Sequence, residues 1–292
     1  MYLLNNFQQQ RLFGRHYGQV LSRYILENPY RPRMVDKSNP IFAYTVIEFH
    51  RRYRLNKRNF LCLFRILHKK LKGNQRQHSI PAINQLLIAL RFYASGHFQY
   101  DDGDLIKCSQ SSVCRIVKKI SFIIAQSKAE FGIKLPNFTN VKRQFYERCG
   151  IPNVVGAIDC TLIKILRPAS DDNSELYRSR KSFFAINVQA VATCDYKIYD
   201  LVVRWPGSTH DSRIFNNSTL KSKFVNSEID GVLLGDSGYA SLPYLFVPIP
   251  NPTTTAQTNY NRAQIRGRGC VERAFGIAKQ RFRCLSIPLR TQ

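Results

Sequence analysis

The 292-residue chain is poor in acid: 19 aspartates and glutamates stand against 44 lysines and arginines, a formal net charge of +25 at pH 7. That imbalance exceeds what solubility needs and points to a polyanionic partner. The eight cysteines, at 62, 108, 114, 149, 160, 194, 270 and 284, make no C-x-x-C pair and no zinc-finger spacing with histidine. They read as small buried hydrophobes of a reducing compartment. No run of 18 apolar residues occurs, and the opening MYLLNNFQQQRLFGR lacks a basic segment followed by an apolar core. The expectation is a chain that is neither secreted nor membrane-spanning.

What is present suits packed domains. Hydrophobic residues make up 44%, with 19 Phe and 15 Tyr, enough to give one large domain or two medium ones a core. This argues against a ribosomal-type tail or a membrane-surface protein and for a globule that binds nucleic acid. The charge is uneven: 26 basic against 8 acidic residues precede Gly150, and 18 against 11 follow from it. The front half carries the stronger electrostatic footprint.

That front half reads as helical. Ile47 to Leu71 repeats apolar residues at helical spacing between charges. Its densest basic run, Arg51-Arg52-Tyr53-Arg54-Leu55-Asn56-Lys57-Arg58, is open to three readings: a nuclear-import signal, a DNA-backbone contact or a solvated helix face. Three short helices are expected next, over Pro81–Ser95, Tyr100–Cys108 and Ser109–Gln126, broken at Gly96. In the third, Ser109 is placed as N-cap and Val113, Ile116, Val117 and Ile120 as the buried stripe. Gln110, Ser112, Arg115, Lys118 and Lys119 are left outward. This is a helix-turn-helix-like pattern at about 81–126, readable as a DNA contact or as a structural bundle.

Prolines 136 and 152 with Gly150 mark a boundary near Cys149 to Asn153, giving a basic α-helical region over 1–149 and a second domain over 150–292. Beyond the boundary the period changes. Val154–Ile158 is a buried apolar run, and Phe184–Thr193 and Ile198–Trp205 alternate across an Asp195-Tyr196 turn. A short helix over Asp211–Leu220, a strand over Gly231–Leu234 and an amphipathic helix over Gly269–Phe282 complete an α/β half.

Asp159 and Asp236 each close an apolar strand, where an α/β sheet exposes its catalytic groups. A charge ending a hydrophobic run must be solvated, hydrogen-bonded or metal-bound. Glu272 sits early in the final helix, opposite its apolar stripe, with Arg262, Arg266 and Arg268 before it and Lys279 after. Clustered carboxylates repel unless a divalent cation offsets them, and two hard cations held this way can hydrolyse a phosphodiester. Asp211 is a further candidate. Simpler roles stand beside these: Asp211 as an N-cap, Asp236 as a turn former, Glu272 as a surface residue near a helix start.

Four blocks stand in order along this half: Gly156-Ala157-Ile158-Asp159-Cys160-Thr161, Trp205-Pro206-Gly207-Ser208-Thr209-His210-Asp211-Ser212-Arg213, Leu234-Gly235-Asp236-Ser237-Gly238-Tyr239 and Val271-Glu272-Arg273-Ala274-Phe275-Gly276. They resemble the PIF/Harbinger superfamily of DDE transposases, and most closely the Harbinger transposase-derived nucleases. The resemblance implies an RNase H-like mixed sheet with flanking helices and a magnesium- or manganese-dependent DNA endonuclease. It makes Asp159, Asp236 and Glu272 catalytic and Asp159, Asp211, Asp236 and Glu272 the metal ligands. A protein of the nucleus, or of nucleus and cytoplasm, and a separate Myb-like DNA-binding partner are also expected. Arg115, Lys118, Lys119, Arg266, Arg268 and Lys279 are the candidate nucleic-acid contacts. The chain departs from the resemblance where Cys160 and Leu162 replace the glycine and histidine of Gly-Thr-His. It also ends 20 residues after Glu272, so a C-terminally shortened domain is expected. The alternative expectation is a catalytically impaired, domesticated DNA-binding or interaction protein.

Overall fold

The computed structural model describes residues 40–71, 80–96, 109–131, 134–168 and 171–289. Its front is a helical layer made of α1 (Val46–Tyr53), α2 (Lys57–Leu71), α3 (Ala82–Ser95) and α4 (Gln110–Gln126). Thr45 opens α1 with a capping box to Glu48, which satisfies two donors that the first helical turn leaves free. Phe49, Phe60, Leu67, Leu86, Leu87, Val113 and Ile120 meet in one core. On α4 the N-cap is Ser109, Val113, Ile116, Val117 and Ile120 are buried, and Arg115, Lys118 and Lys119 are exposed, as the spacing predicts. The helix expected over Tyr100–Cys108 lies outside the described residues.

The rest is built on a five-stranded mixed sheet of order β3-β2-β1-β4-β5. Strands β1 (Val154–Lys164), β2 (Ala185–Ala192) and β3 (Ile198–Pro206) are antiparallel neighbours, while β4 (Val232–Leu234) and β5 (Leu245–Phe246) run parallel to β1. One face packs on α5 (Phe138–Cys149) and α8 (Thr255–Arg281), through Val154, Ala157, Ala192 and Leu234 against Val141, Phe145, Cys270, Val271 and Ala274. The other packs on α6 (Asp211–Asn216) and α7 (Thr219–Val225), through Val155, Ile158, Val191 and Leu233 against Phe215, Leu220 and Phe224. Helix α5 therefore shares the core of the sheet, although its sequence lies before the boundary expected near Cys149 to Asn153. Among the described residues no helix is long and apolar enough to cross a membrane.

A break in alternation sets the site. The pairing of β1 with β4 shifts register between Val154 and Gly156, the mark of a bulge, which turns two successive residues to one face. Val155 and Gly156 both face the α6 side: a Cβ at Gly156 would stand 2.5 Å from Tyr199 Oη and 2.7 Å from Val191 Cγ1. Parity is thereby reset, so Ala157 and Asp159 face α8 while Ile158 and Cys160 face α6.

Three boundaries differ from expectation, each for a local reason. Asp159 does not end its strand, because β1 runs on to Lys164 by pairing with β2. The helix from Asp211 stops at Asn216, and α7 begins at Thr219 under its own cap, Ser218. Helix α8 begins at Thr255, not Gly269, under a Thr254–Gln257 capping box, which places Glu272 in its second half. The cysteines are mixed: 149, 270 and 284 are buried, whereas Cys62 and Cys114 are exposed.

Candidate active site

The sheet brings two acids together by register alone. Ala157 of β1 pairs with Leu234 of β4, neighbours running parallel. Asp159 and Asp236 each lie two positions beyond that pair, so they stand abreast on adjacent strand tracks, spaced by about 4.8 Å between strands. This is the carboxyl end of the parallel pair, where open α/β sheets keep their ligand crevices.

Asp159 is the most constrained of the acids. Its side chain is 15% exposed. The Cys160 amide donates to its Oδ1 at 2.7 Å and Arg268 Nη1 to its Oδ2 at 3.2 Å. Burial nevertheless dominates and pushes its carboxyl up to about 6, with the nearby Asp236 and Glu272 charges adding to the rise. Arg268, one helical turn before Glu272 on α8, pairs with Glu272 Oε1 at 2.7 Å. A single guanidinium thus spans Asp159 and Glu272, and its Nε is buried without a hydrogen-bond partner.

On the opposite face Asp211 opens α6. His210, not Asp211, caps this helix, and Asp211 occupies its first turn, where a negative charge suits the helix dipole. Asn187 on β2 holds it, donating Nδ2 to Asp211 Oδ1 at 2.8 Å and to the Thr209 carbonyl at 2.9 Å. Asp236 accepts the Gly238 amide at 3.0 Å. A Cβ built on Gly238 would lie 3.0 Å from Asp236 Oδ1 and 3.6 Å from Asp211 Oδ2, so both carboxylates border the same turn. Cys160 sits between them and the core, its Sγ 3.3 Å from Tyr239 Oη. Burial, then the Asp211 charge, drives its thiol far above the ordinary range, so it stays protonated.

The four acids therefore reach one rim: Asp159 and Glu272 share Arg268, Asp236 stands beside Asp159, and Asp211 borders the same turn as Asp236. Among the described residues no three His, Cys, Asp or Glu side chains gather closely enough, as they stand, to hold a metal ion. The donors suit a hard cation all the same: the four are carboxylates, the thiol beside them is neutral, and a guanidinium already fills a cation's place.

The basic candidates divide. Arg115, Lys118, Lys119 and Arg266 are exposed. Arg268 is committed to the acids, and Lys279 Nζ donates to Thr161 Oγ1 at 2.7 Å and to the Leu162 carbonyl at 3.3 Å. Sequence reasoning passed over Asn187 and Gln189 of β2. Both are buried polar residues on the α6 side, and their position inside an otherwise apolar strand was the available signal.

Residues 158–292 match the family described as "DDE superfamily endonuclease". Over 219 residues the chain is 34% identical to the mouse protein named "Putative nuclease HARBI1" and 33% identical to the human one. Residues 158–292 thus carry a DDE-superfamily domain, and the chain is similar to the Harbinger-derived nucleases. The matched stretch covers 73% of the chain and 62% of each of those two relatives. The Arabidopsis "Protein ALP1-like" is 27% identical over 219 residues, 70% of this chain and 54% of that protein. No solved structure matches. The DDE match takes in Asp159, Asp211, Asp236 and Glu272, so the acids that the fold brings to one rim all fall within the endonuclease domain.

Proposed function

We propose that the chain is a divalent-metal-dependent endonuclease that hydrolyses DNA phosphodiesters on an RNase H-like domain, with Asp159, Asp236 and Glu272 catalytic and Asp211 a fourth metal ligand. The observation that carries this is the register of β1 and β4, which sets Asp159 and Asp236 side by side at the carboxyl end of parallel strands. When bound, Mg2+ or Mn2+ would offset phosphodiester charge and activate the attacking water. The chain's own residues would do the rest. Asp159, Asp211, Asp236 and Glu272 would hold the ion, Asn187 fixes the carboxylate of Asp211, and Arg268, now paired with Asp159 and Glu272, would have to let them go. Lys279 props β1 just past Asp159. The exposed Arg115, Lys118, Lys119 and Arg266 would serve as backbone clamps, the first three on a helix-turn-helix-like unit. A nuclear location and a separate Myb-like DNA-binding partner complete this reading.

The test is nicking of supercoiled plasmid with Mg2+ or Mn2+. D159N and D236N should each abolish the metal-dependent nicking of the wild type, and nicking at the wild-type rate by either would refute the assignment.

One observation favours a second reading, a domesticated DNA-binding protein without catalysis: Arg268 already occupies the space between Asp159 and Glu272. Calorimetric titration with Mn2+ separates the two. Heat that vanishes in D159N supports the nuclease, and absence of heat in the wild type supports the impaired form.

A further inference from the structure

Away from the acid rim, five arginines line one cleft of about 180 Å³: Arg51 and Arg52 on α1, Arg54 just after it, Arg91 on α3 and Arg283 beyond α8. Ala94 and Ser95 complete its wall. The arginines come from three distant stretches of sequence, so the fold makes the cluster, whereas the basic run at 51–58 alone would not. Like charges held this close repel, and an anion between them removes the penalty.

One further observation points to a ligand. Arg54 is the left-handed C-cap of α1, its backbone N–H donating to the His50 carbonyl at 2.8 Å, and that turn sets its side chain at the cleft. Its Nε is buried with no hydrogen-bond partner, a donor whose desolvation stays uncompensated until an acceptor arrives. Glu48 caps the Thr45 amide at 2.9 Å and is the acid whose charge Arg52 and Arg51 of the cluster meet. Arg52 is steadied by the Glu48 carbonyl at 3.3 Å and by the Tyr44 ring, 4.1 Å below it.

We propose that this cleft binds a backbone phosphate of duplex DNA through its guanidinium N–H donors. The proposal rests on DNA being the polyanion that the chain acts on. The cleft is tied to the acid rim through the backbone: Arg281, closing α8, donates Nε at 3.3 Å and Nη2 at 3.2 Å to the Arg54 carbonyl. Nine positions of that helix separate Arg281 from Glu272, roughly 14 Å of rise. A strand anchored in the cleft is thereby held at a fixed offset from the carboxylates.

The test is duplex DNA binding by fluorescence anisotropy over a salt series in EDTA, so that cutting plays no part. In R91Q/R283Q the log–log salt slope should become shallower by about one for each phosphate that is no longer neutralised. R283Q alone, at an exposed position, should show part of this change and keeps the test readable if the double variant misfolds. K69Q/K134Q, which removes two exposed charges outside the cleft, should change the slope less. Equal slopes in the wild type and R283Q, or an equal change in K69Q/K134Q, overturn the cleft while leaving the nuclease reading intact. A wild type that does not bind DNA overturns both. Inorganic pyrophosphate that raises the melting temperature of the wild type but not of R91Q/R283Q, with the DNA slope unaltered, assigns the cleft to a free phosphate compound instead.

Discussion

At the scale of single residues, Asp159 governs what can be measured. Its carboxyl is raised from 3.8 to about 6 by burial, so the fold binds its proton more tightly than the unfolded chain does. Stability from this group is present below about 4 and is lost as pH rises towards 6, on the order of 3 kcal/mol at most. Between pH 4 and pH 6 the metal-free wild type should therefore lose melting temperature relative to D159N, and parallel profiles would contradict that assignment. Arg268 is the counterpart. R268Q leaves two carboxylates without their cation, and urea unfolding at pH 7 should show a loss of roughly 1–3 kcal/mol, recovered on adding Mn2+. Asp159 and Asp236 could be singled out because each closes an apolar run and Asp211 because it starts a helix, whereas Glu272 was expected early in a helix and lies in its second half. Arg268 was legible only as a positive charge near Glu272. That it faces Asp159 depends on the bulge at Val155 and Gly156, and no period in the sequence announces a bulge.

Among the elements, α4 followed its sequence period closely, since it buries one clear face, and β2 and β3 formed near the expected bounds although β2 is buried on both faces. Helix α8 did not. Its first half, Thr255 to Arg268, is polar and holds Gly267, which reads as a breaker, yet the helix lies so close to the sheet that a Cβ there would sit 2.4 Å from Leu234 Cδ1. Packing against the sheet overrides weak local preference. The turn leading to Asp211 is equally tight. A Cβ at Gly207 would fall 2.7 Å from the carbonyl oxygens of both Ala185 and Tyr177, and backbone cannot move aside as a side chain can. G207A should cost about 1–3 kcal/mol in urea unfolding. It should also weaken Mn2+ binding by displacing Asp211, and unchanged metal affinity would remove Asp211 from the ligand set.

For the whole molecule, a net charge of +25 and a carboxylate rim set two demands that respond differently to solution conditions. Chelation should stop nicking and leave duplex DNA binding essentially unchanged, whereas raising salt should weaken binding steeply. A gel-shift and a nicking assay on the same samples check both, and loss of binding on adding EDTA would count against the division. The division of the chain was harder to read than its chemistry. A proline- and glycine-marked boundary near residue 150 is visible, but α5 before it belongs to the core of the sheet, and the residues that close α8 reach back to the helical front. The hydrogen bonds from Arg281 to the Arg54 carbonyl make α8 a lever with one end lodged in each layer. Any swing of the helical layer over the sheet must tug the rod that carries Arg268 and Glu272, so a shift at the far end is felt as a change in how firmly the guanidinium grips Asp159.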